Sequence, residues 1–176
     1  EGRFVTVEDN TVYRSVLENG TLTGNTVVCH HTRWSSGIKT NRTSNVTIRN
    51  NAVYENCGEG INATMRWDIL IVGNTVWDNK QVNIYVDNSI GVIARQNHSY
   101  CTRNTRFYRG GDPARGITIG NELYNDSHNW GNRMRDVSIT NNYVDGCRGL
   151  RFYNYFSGSV PNVSVTNNYF QNSWDA

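Results

Sequence analysis

The chain has 176 residues, enough for one domain of ordinary size. Hydrophobic residues make up 37%, charged residues only 18% and aromatics 11%, which is too uncharged and too aromatic for a disordered segment. A net charge of +2 excludes a broadly basic nucleic-acid surface, and no apolar run approaches the roughly 18 residues of a membrane span.

Residues 1–20 carry no strong pattern and are expected to form an irregular or partial first coil. Five segments then read alike: Leu22-Thr-Gly-Asn-Thr-Val27, Ile48-Arg-Asn-Asn-Ala-Val53, Ile71-Val-Gly-Asn-Thr-Val76, Ile139-Thr-Asn-Asn-Tyr-Val144 and Val165-Thr-Asn-Asn-Tyr-Phe170. Their shared element, aliphatic-x-x-Asn-x-apolar, is anchored on Asn25, Asn51, Asn74, Asn142 and Asn168. A weaker copy adds Asn97. The anchors are spaced 26, 23, 23, 45 and 26 residues apart. A two-residue alternation such as Val46-Thr-Ile48 or Val137-Ser-Ile139 precedes each strong anchor, which predicts a short strand. A second strand follows, often opened by Gly, as in Gly37-Ile38, Gly60-Ile61 and Gly116-Ile117. Helix signals are missing.

Short strands recurring every 23 to 26 residues without crossover helices predict an all-β parallel β-helix of about six to seven coils. A sandwich with Asn-rich hairpins would repeat at about 8 to 12 residues instead. Stacked at about 4.8 Å per coil, the anchors are expected to form an Asn ladder. The anchors are also expected to adopt the left-handed conformation that Asn tolerates.

The 45-residue interval from Asn97 to Asn142 fits two plain coils or one decorated coil. Gly116-Ile-Thr-Ile-Gly-Asn121 is one residue out of parity with the other copies, and such a slip would turn the strand inside out. One coil with loop insertions at 99–115 and 120–136 is therefore favoured. The cysteines agree. Cys29 and Cys57, and Cys101 and Cys147, then fall near the same turn of neighbouring coils, within disulfide reach. An extra plain coil would separate Cys101 from Cys147 by about 9.6 Å. Four buried free thiols are the alternative.

In the Gly-Ile strands the residue after the apolar one should face outward: Lys39, Asn62, Tyr85, Thr118 and Arg151. The two inserted loops flank this face. Together they suggest a carbohydrate-binding set of Tyr85, Arg109, Asp112, Arg115, Tyr124, Asp126, Trp130 and Arg151. Aromatic faces stack on sugar rings, and Arg forks grip carboxylates or sulfates. Trp34, Trp67 and Trp77 could extend a stacking surface. His30-His31 has no third ligand suitably spaced, so no metal site is expected. Of seven Asn-x-Ser/Thr sequons, Asn19, Asn41 and Asn125 are the best candidates for glycosylation, and Asn97 should resist it.

From Val12 to Phe170 the units Val46-Thr-Ile-Arg-Asn-Asn-Ala-Val53 and Val137-Ser-Ile-Thr-Asn-Asn-Tyr-Val144, with their Gly-Ile strands, resemble the right-handed parallel β-helix (pectate lyase-like) superfamily. The resemblance implies a right-handed solenoid, a secreted or cell-surface location and a polysaccharide or other glycan as partner. Neither end shows a cap, so the chain looks like a fragment or module of a longer protein, or a subunit that stacks. If the chain is an enzyme, the resemblance favours a polysaccharide lyase over a glycoside hydrolase, because the strand face that carries catalytic Asp in polygalacturonases is expected to hold none here. No cofactor is expected, unless a lyase-like site uses Ca²⁺ with Asp112 and Asp126 beside Arg109 or Arg151. The competing expectation, from a different class, is a structural solenoid: a stalk, adhesin shaft or filament formed by end-to-end self-association.

Overall fold

The computed structural model describes residues 3–13, 35–41, 43–123 and 133–173. The chain runs through β1 (Arg3–Glu8), β2 (Thr11–Tyr13) and β3 (Ile38–Asn41), then repeats the trio. The next trios are β4 (Ser44–Arg49), β5 (Ala52–Tyr54) and β6 (Ile61–Thr64), then β7 (Trp67–Val72), β8 (Thr75–Trp77) and β9 (Val82–Asp87). They continue as β10 (Ile90–Arg95), β11 (His98–Tyr100) and β12 (Arg115–Asn121), followed by β13 (Arg135–Thr140), β14 (Tyr143–Asp145) and β15 (Arg148–Asn154). The last described strands are β16 (Val163–Thr166) and β17 (Tyr169–Gln171). Every third strand joins the same sheet. The first and second sheets have six strands each and the third has five, all the ladders parallel. This is a parallel β-helix. Strands β10 and β13 pair directly, Val92 opposite Val137, so Asn97 and Asn142 stand on adjacent rungs despite the 45 residues between them.

Parity fills the interior. One column runs Val7–Ile48–Ile71–Ala94–Ile139–Val165 and another Ile38–Ile61–Ile84–Ile117–Leu150. Each β-branched side chain packs on its counterpart one rung away, which suits an extended backbone and removes apolar area from water, except at the last described rung, where Val165 is exposed. Ser99 stands in the aliphatic column of the second sheet. Its hydroxyl donates to Gly116 O at 3.0 Å and accepts from Asn83 Nδ2 at 3.1 Å, so the polar group is satisfied.

The turn from first to second sheet carries the Asn ladder. Asn74 is typical: its Nδ2 donates to Ile48 O, Val72 O and Asn97 Oδ1, at 3.0 to 3.2 Å, while its Oδ1 accepts the Asn51 N–H at 3.0 Å. Two features differ from expectation. The left-handed residues are not the anchors but the residues just before them: Asp9, Asn50, Gly73, Gln96, Asn141 and Asn167. That bend turns each anchor side chain inward, where it replaces backbone partners lost at the corner. The ladder also has its first described rung at Asn10, whose N–H donates to Asn51 Oδ1 at 3.0 Å. Asn25, expected as the first anchor, lies outside the described residues. A second ladder, Asn56 to Asn79 to Asn83, lines the next corner.

Cys101 and Cys147 form a disulfide with a Cα separation of 4.9 Å, as their placement on adjacent rungs predicts. Cys57 is also disulfide-bonded, and its expected partner Cys29 lies outside the described residues.

Candidate functional site

The outer face of the third sheet forms the floor of a groove of about 560 Å³, within the usual range for ligand sites. Its central column is Lys39–Asn62–Tyr85–Thr118–Arg151, in register across five strands. Two residues further along each strand lies a second outward column, Asn41–Thr64–Asp87–Gly120–Tyr153. The expectation that this face holds no Asp is therefore corrected. β9 stays extended to Asp87, and strand alternation puts Asp87 on the same face as Tyr85.

The 101–114 segment forms one wall. The disulfide pins its start, and Asp78 holds the next residue: the Thr102 N–H donates to Oδ1 at 2.8 Å and the Thr102 hydroxyl to Oδ2 at 2.6 Å. Burial raises the Asp78 pKa above the ordinary 3.8; the Thr102 bonds oppose this, and the Glu55 charge adds to it. A 3₁₀ turn, Thr105–Phe107, buries Phe107 beneath the wall. The chain then reverses at Gly110 and Gly111, where positive φ suits glycine, and an Arg109–Asp112 bridge closes the turn. Arg148 reaches from β15 to Asp112 Oδ2 at 2.8 Å, and Arg109 donates to Gln81 Oε1. Lys80 stands close by, its pKa lowered by burial and then by the charge of Arg109.

The floor centres on Glu122. Tyr85 and Tyr153 both donate to its Oε1, and the two phenols lie within hydrogen-bond reach of each other. Burial, then the charge of Asp87 and the bond to Glu122, pushes Tyr85 far above the ordinary phenol range. Tyr153 is pushed up less, first by burial and then by Glu122. The Arg151 guanidinium lies 5.0 Å over the Tyr153 ring.

Of the residues expected to bind carbohydrate, Tyr85, Arg109, Asp112, Arg115 and Arg151 all line this groove. Tyr124, Asp126 and Trp130 lie outside the described residues. Glu59, Lys80, Asp87, Glu122, Arg148 and Tyr153 also line it and were not in the expected set. Strand parity carried the signal for Asp87 and Tyr153, each two residues beyond an expected outward position. Nothing in the sequence alone sets Glu59 and Lys80 apart from other turn residues. Asn41 is exposed at the end of β3, Asn97 is buried in the ladder, and Asn19 and Asn125 lie outside the described residues.

Trp77 belongs to a different feature. On the outer face of the second sheet Tyr13, Tyr54, Trp77 and Tyr100 stack at centroid separations of 5.2, 4.1 and 5.3 Å, with interplanar angles of 9° or less. Rings stacked along the axis cover one another's faces, so Trp77 has no open face for a sugar. Trp67 lies half-exposed on the first sheet, and Trp34 lies outside the described residues.

A family model described as "Periplasmic copper-binding protein (NosD)" matches residues 3–176. The chain belongs to the NosD family. NosD is a right-handed parallel β-helix family of the pectate lyase-like superfamily, in agreement with the resemblance read from the repeats. Its periplasmic description agrees with the expected secreted or cell-surface location, and no helix among the described residues is long and apolar enough to cross a membrane. No curated protein and no solved structure matches the chain.

The NosD description raises the question of copper. Among the described residues no three His, Cys, Asp or Glu side chains are grouped to hold a metal ion. The softer donors stand apart from one another or are used elsewhere: Cys57, Cys101 and Cys147 are in disulfides, Met134 is buried in the core, Met65 lies half-buried in the turn between β6 and β7, and the His98 ring is sandwiched between Tyr100 and Tyr143 with its Nε2 unpartnered. These residues do not fit copper, whose usual soft ligands are thiolate and thioether sulfur. His30, His31 and His128 lie outside the described residues.

Proposed function

We propose that the chain is a secreted recognition module whose third-sheet groove binds an acidic polysaccharide. The observation that carries this reading is the central column, in which each of five adjacent strands offers a different side chain: Lys39, Asn62, Tyr85, Thr118 and Arg151. At ~4.8 Å per strand the column extends ~19 Å, so a sugar chain lying along the helix axis meets about one rung per residue. Lys39 and Arg151 place a cation at either end, and Lys80, Arg109, Arg115 and Arg148 crowd the side nearest the 101–114 wall. Asp112 already pairs with one of them, Arg148, and Arg forks are shaped to take a carboxylate or sulfate as well.

Calorimetric titration tests the reading. Oligomers of galacturonate or mannuronate should bind, with affinity that falls as salt is raised, and neutral dextran should not. Equal affinity for the neutral polymer, or no binding by the folded chain, would sink it.

A further inference from the structure

Gripping a sugar acid calls for donors and cations, not for a carboxylate in the middle of the floor. Glu122 is nonetheless built in. Asn88 fixes its backbone, donating from Nδ2 to Glu122 O at 2.8 Å and accepting the Glu122 N–H at Oδ1. Both phenols converge on Oε1, and the sheet leaves room for them at Gly120. A Cβ there would stand 2.6 Å from Tyr85 Oη and 2.8 Å from Tyr153 Cζ. Thr118, 2% exposed, lies in register between Tyr85 and Arg151, and its hydroxyl has no hydrogen-bond partner. A buried orphan hydroxyl is rare in proteins and points to a ligand atom that completes it.

Resting on the reading that the groove holds a uronate-containing polysaccharide, we propose that Glu122 and Tyr153 are an acid–base pair that cleaves it by β-elimination, with Arg151 and Thr118 gripping the uronate carboxylate. The Arg151 fork and the Thr118 hydroxyl neutralise that carboxylate as negative charge builds on it. Glu122 takes the C5 proton, and the C5–H electron pair becomes the C4=C5 double bond. The C4–O4 bond breaks, and O4 receives the phenolic proton of Tyr153. The phenolate then recovers a proton from the neutral Glu122 across the hydrogen bond that already joins them. The protein ends as it began, and no water or oxidant is consumed.

The cluster supplies its own timing. Burial and then Glu122 hold the proton on Tyr153. Once Glu122 is neutral that hold weakens, at the moment the leaving oxygen needs the proton. Tyr85, 6% exposed, is a positioning residue that orients Glu122 from beneath.

The chain is incubated with polygalacturonate, alginate and hyaluronan. Two products are followed together: ultraviolet absorbance of the unsaturated uronate, and new reducing ends. Binding is measured by calorimetry on the same preparations, with circular dichroism to confirm folding. The expected result is absorbance and reducing ends rising in step on at least one polymer. Glu122→Gln and Tyr153→Phe should each slow this by about 10²-fold or more, with affinity held within about threefold. Should Glu122→Gln fail to fold, Tyr153→Phe, which keeps the ring beneath Arg151, carries the test. Reducing ends without absorbance mean hydrolysis and overturn the proposal. Binding without product overturns it and leaves recognition standing, whereas no binding to any of the three overturns both. A rate unchanged by Glu122→Gln removes Glu122 from the chemistry and overturns the assignment.

Discussion

The outer faces of the second and third sheets share one scaffold and one axial spacing, yet they are furnished in opposite ways. On the second, Tyr13, Tyr54, Trp77 and Tyr100 repeat an aromatic ring from rung to rung, each covering the next. On the third, the column changes chemistry at every strand, from Lys39 through Tyr85 to Arg151. In a solenoid the nearest neighbours of a side chain are its counterparts above and below. Like residues satisfy one another and close the surface. Unlike residues leave hydrogen-bonding capacity and charge for something else, as the orphan hydroxyl of Thr118 shows.

The sharpest way to break this contrast is to damage a closed column. Asn74→Ala takes the side-chain partner from the Asn51 N–H and from the Ile48 carbonyl, while Val72 O keeps the Asn50 N–H and Asn97 Oδ1 keeps the residue-74 N–H. At about 1–3 kcal/mol per buried group left unpaired, urea unfolding should show a loss of about 2–4 kcal/mol. A loss below about 1 kcal/mol would mean that water replaces the ladder, and its structural role would be lost. Trp77→Ala removes two ring pairs and should lower stability by about 1–3 kcal/mol while leaving calorimetric affinity for sugar acids unchanged. Weakened binding there would make the stack part of the site.

Arg151→Ala should do the reverse. Affinity is expected to fall roughly tenfold, about 1.4 kcal/mol, with unfolding stability unchanged within about 0.5 kcal/mol. The smallest effect belongs to the wall. Burial raises the Asp78 pKa, so ionisation penalises the folded state; the penalty is absent below the unfolded value and complete above the raised folded one. Through this group stability falls as pH rises from the ordinary 3.8 into the mildly acidic range. Asp78→Asn should flatten that dependence in thermal melts, and an unchanged profile would rule the contribution out.

The interior was legible because its rule is local. An anchor Asn with aliphatics three and five residues before it identifies a rung, and parity then gives the outward column from Lys39 to Arg151. The same rule is satisfied by Val5-Thr-Val7-Glu-Asp-Asn10, whereas Leu22-Thr-Gly-Asn25 has Gly20 in place of the second aliphatic but falls one regular period before Asn51. Spacing alone favours the latter. The pairing of β1 with β4 and the bond from Asn10 to Asn51, across 41 residues, identify Asn10 as a rung. Nor does an Asn-Asn pair say which member bends. At Asn50 and Asn51 it is the first that takes positive φ, because the second must turn inward to the ladder. Glu122 escaped for another reason: its role comes from two phenols on other strands, 37 and 31 residues away, which no local pattern joins.

The three corners of the coil differ in how much chain they admit. Every described turn from first to second sheet is two residues long, whereas, among the connections into the third sheet whose residues are all described, the length ranges from the two residues between β14 and β15 to the 14 between β11 and β12. Hydrogen-bonded Asn side chains leave the first corner no slack. The corners bordering the groove are docking ports, where whole segments can be exchanged while the coils beneath keep their register. A lineage or a designer could therefore readdress the groove to another polymer by trading those segments, with the rest of the sequence left as it is.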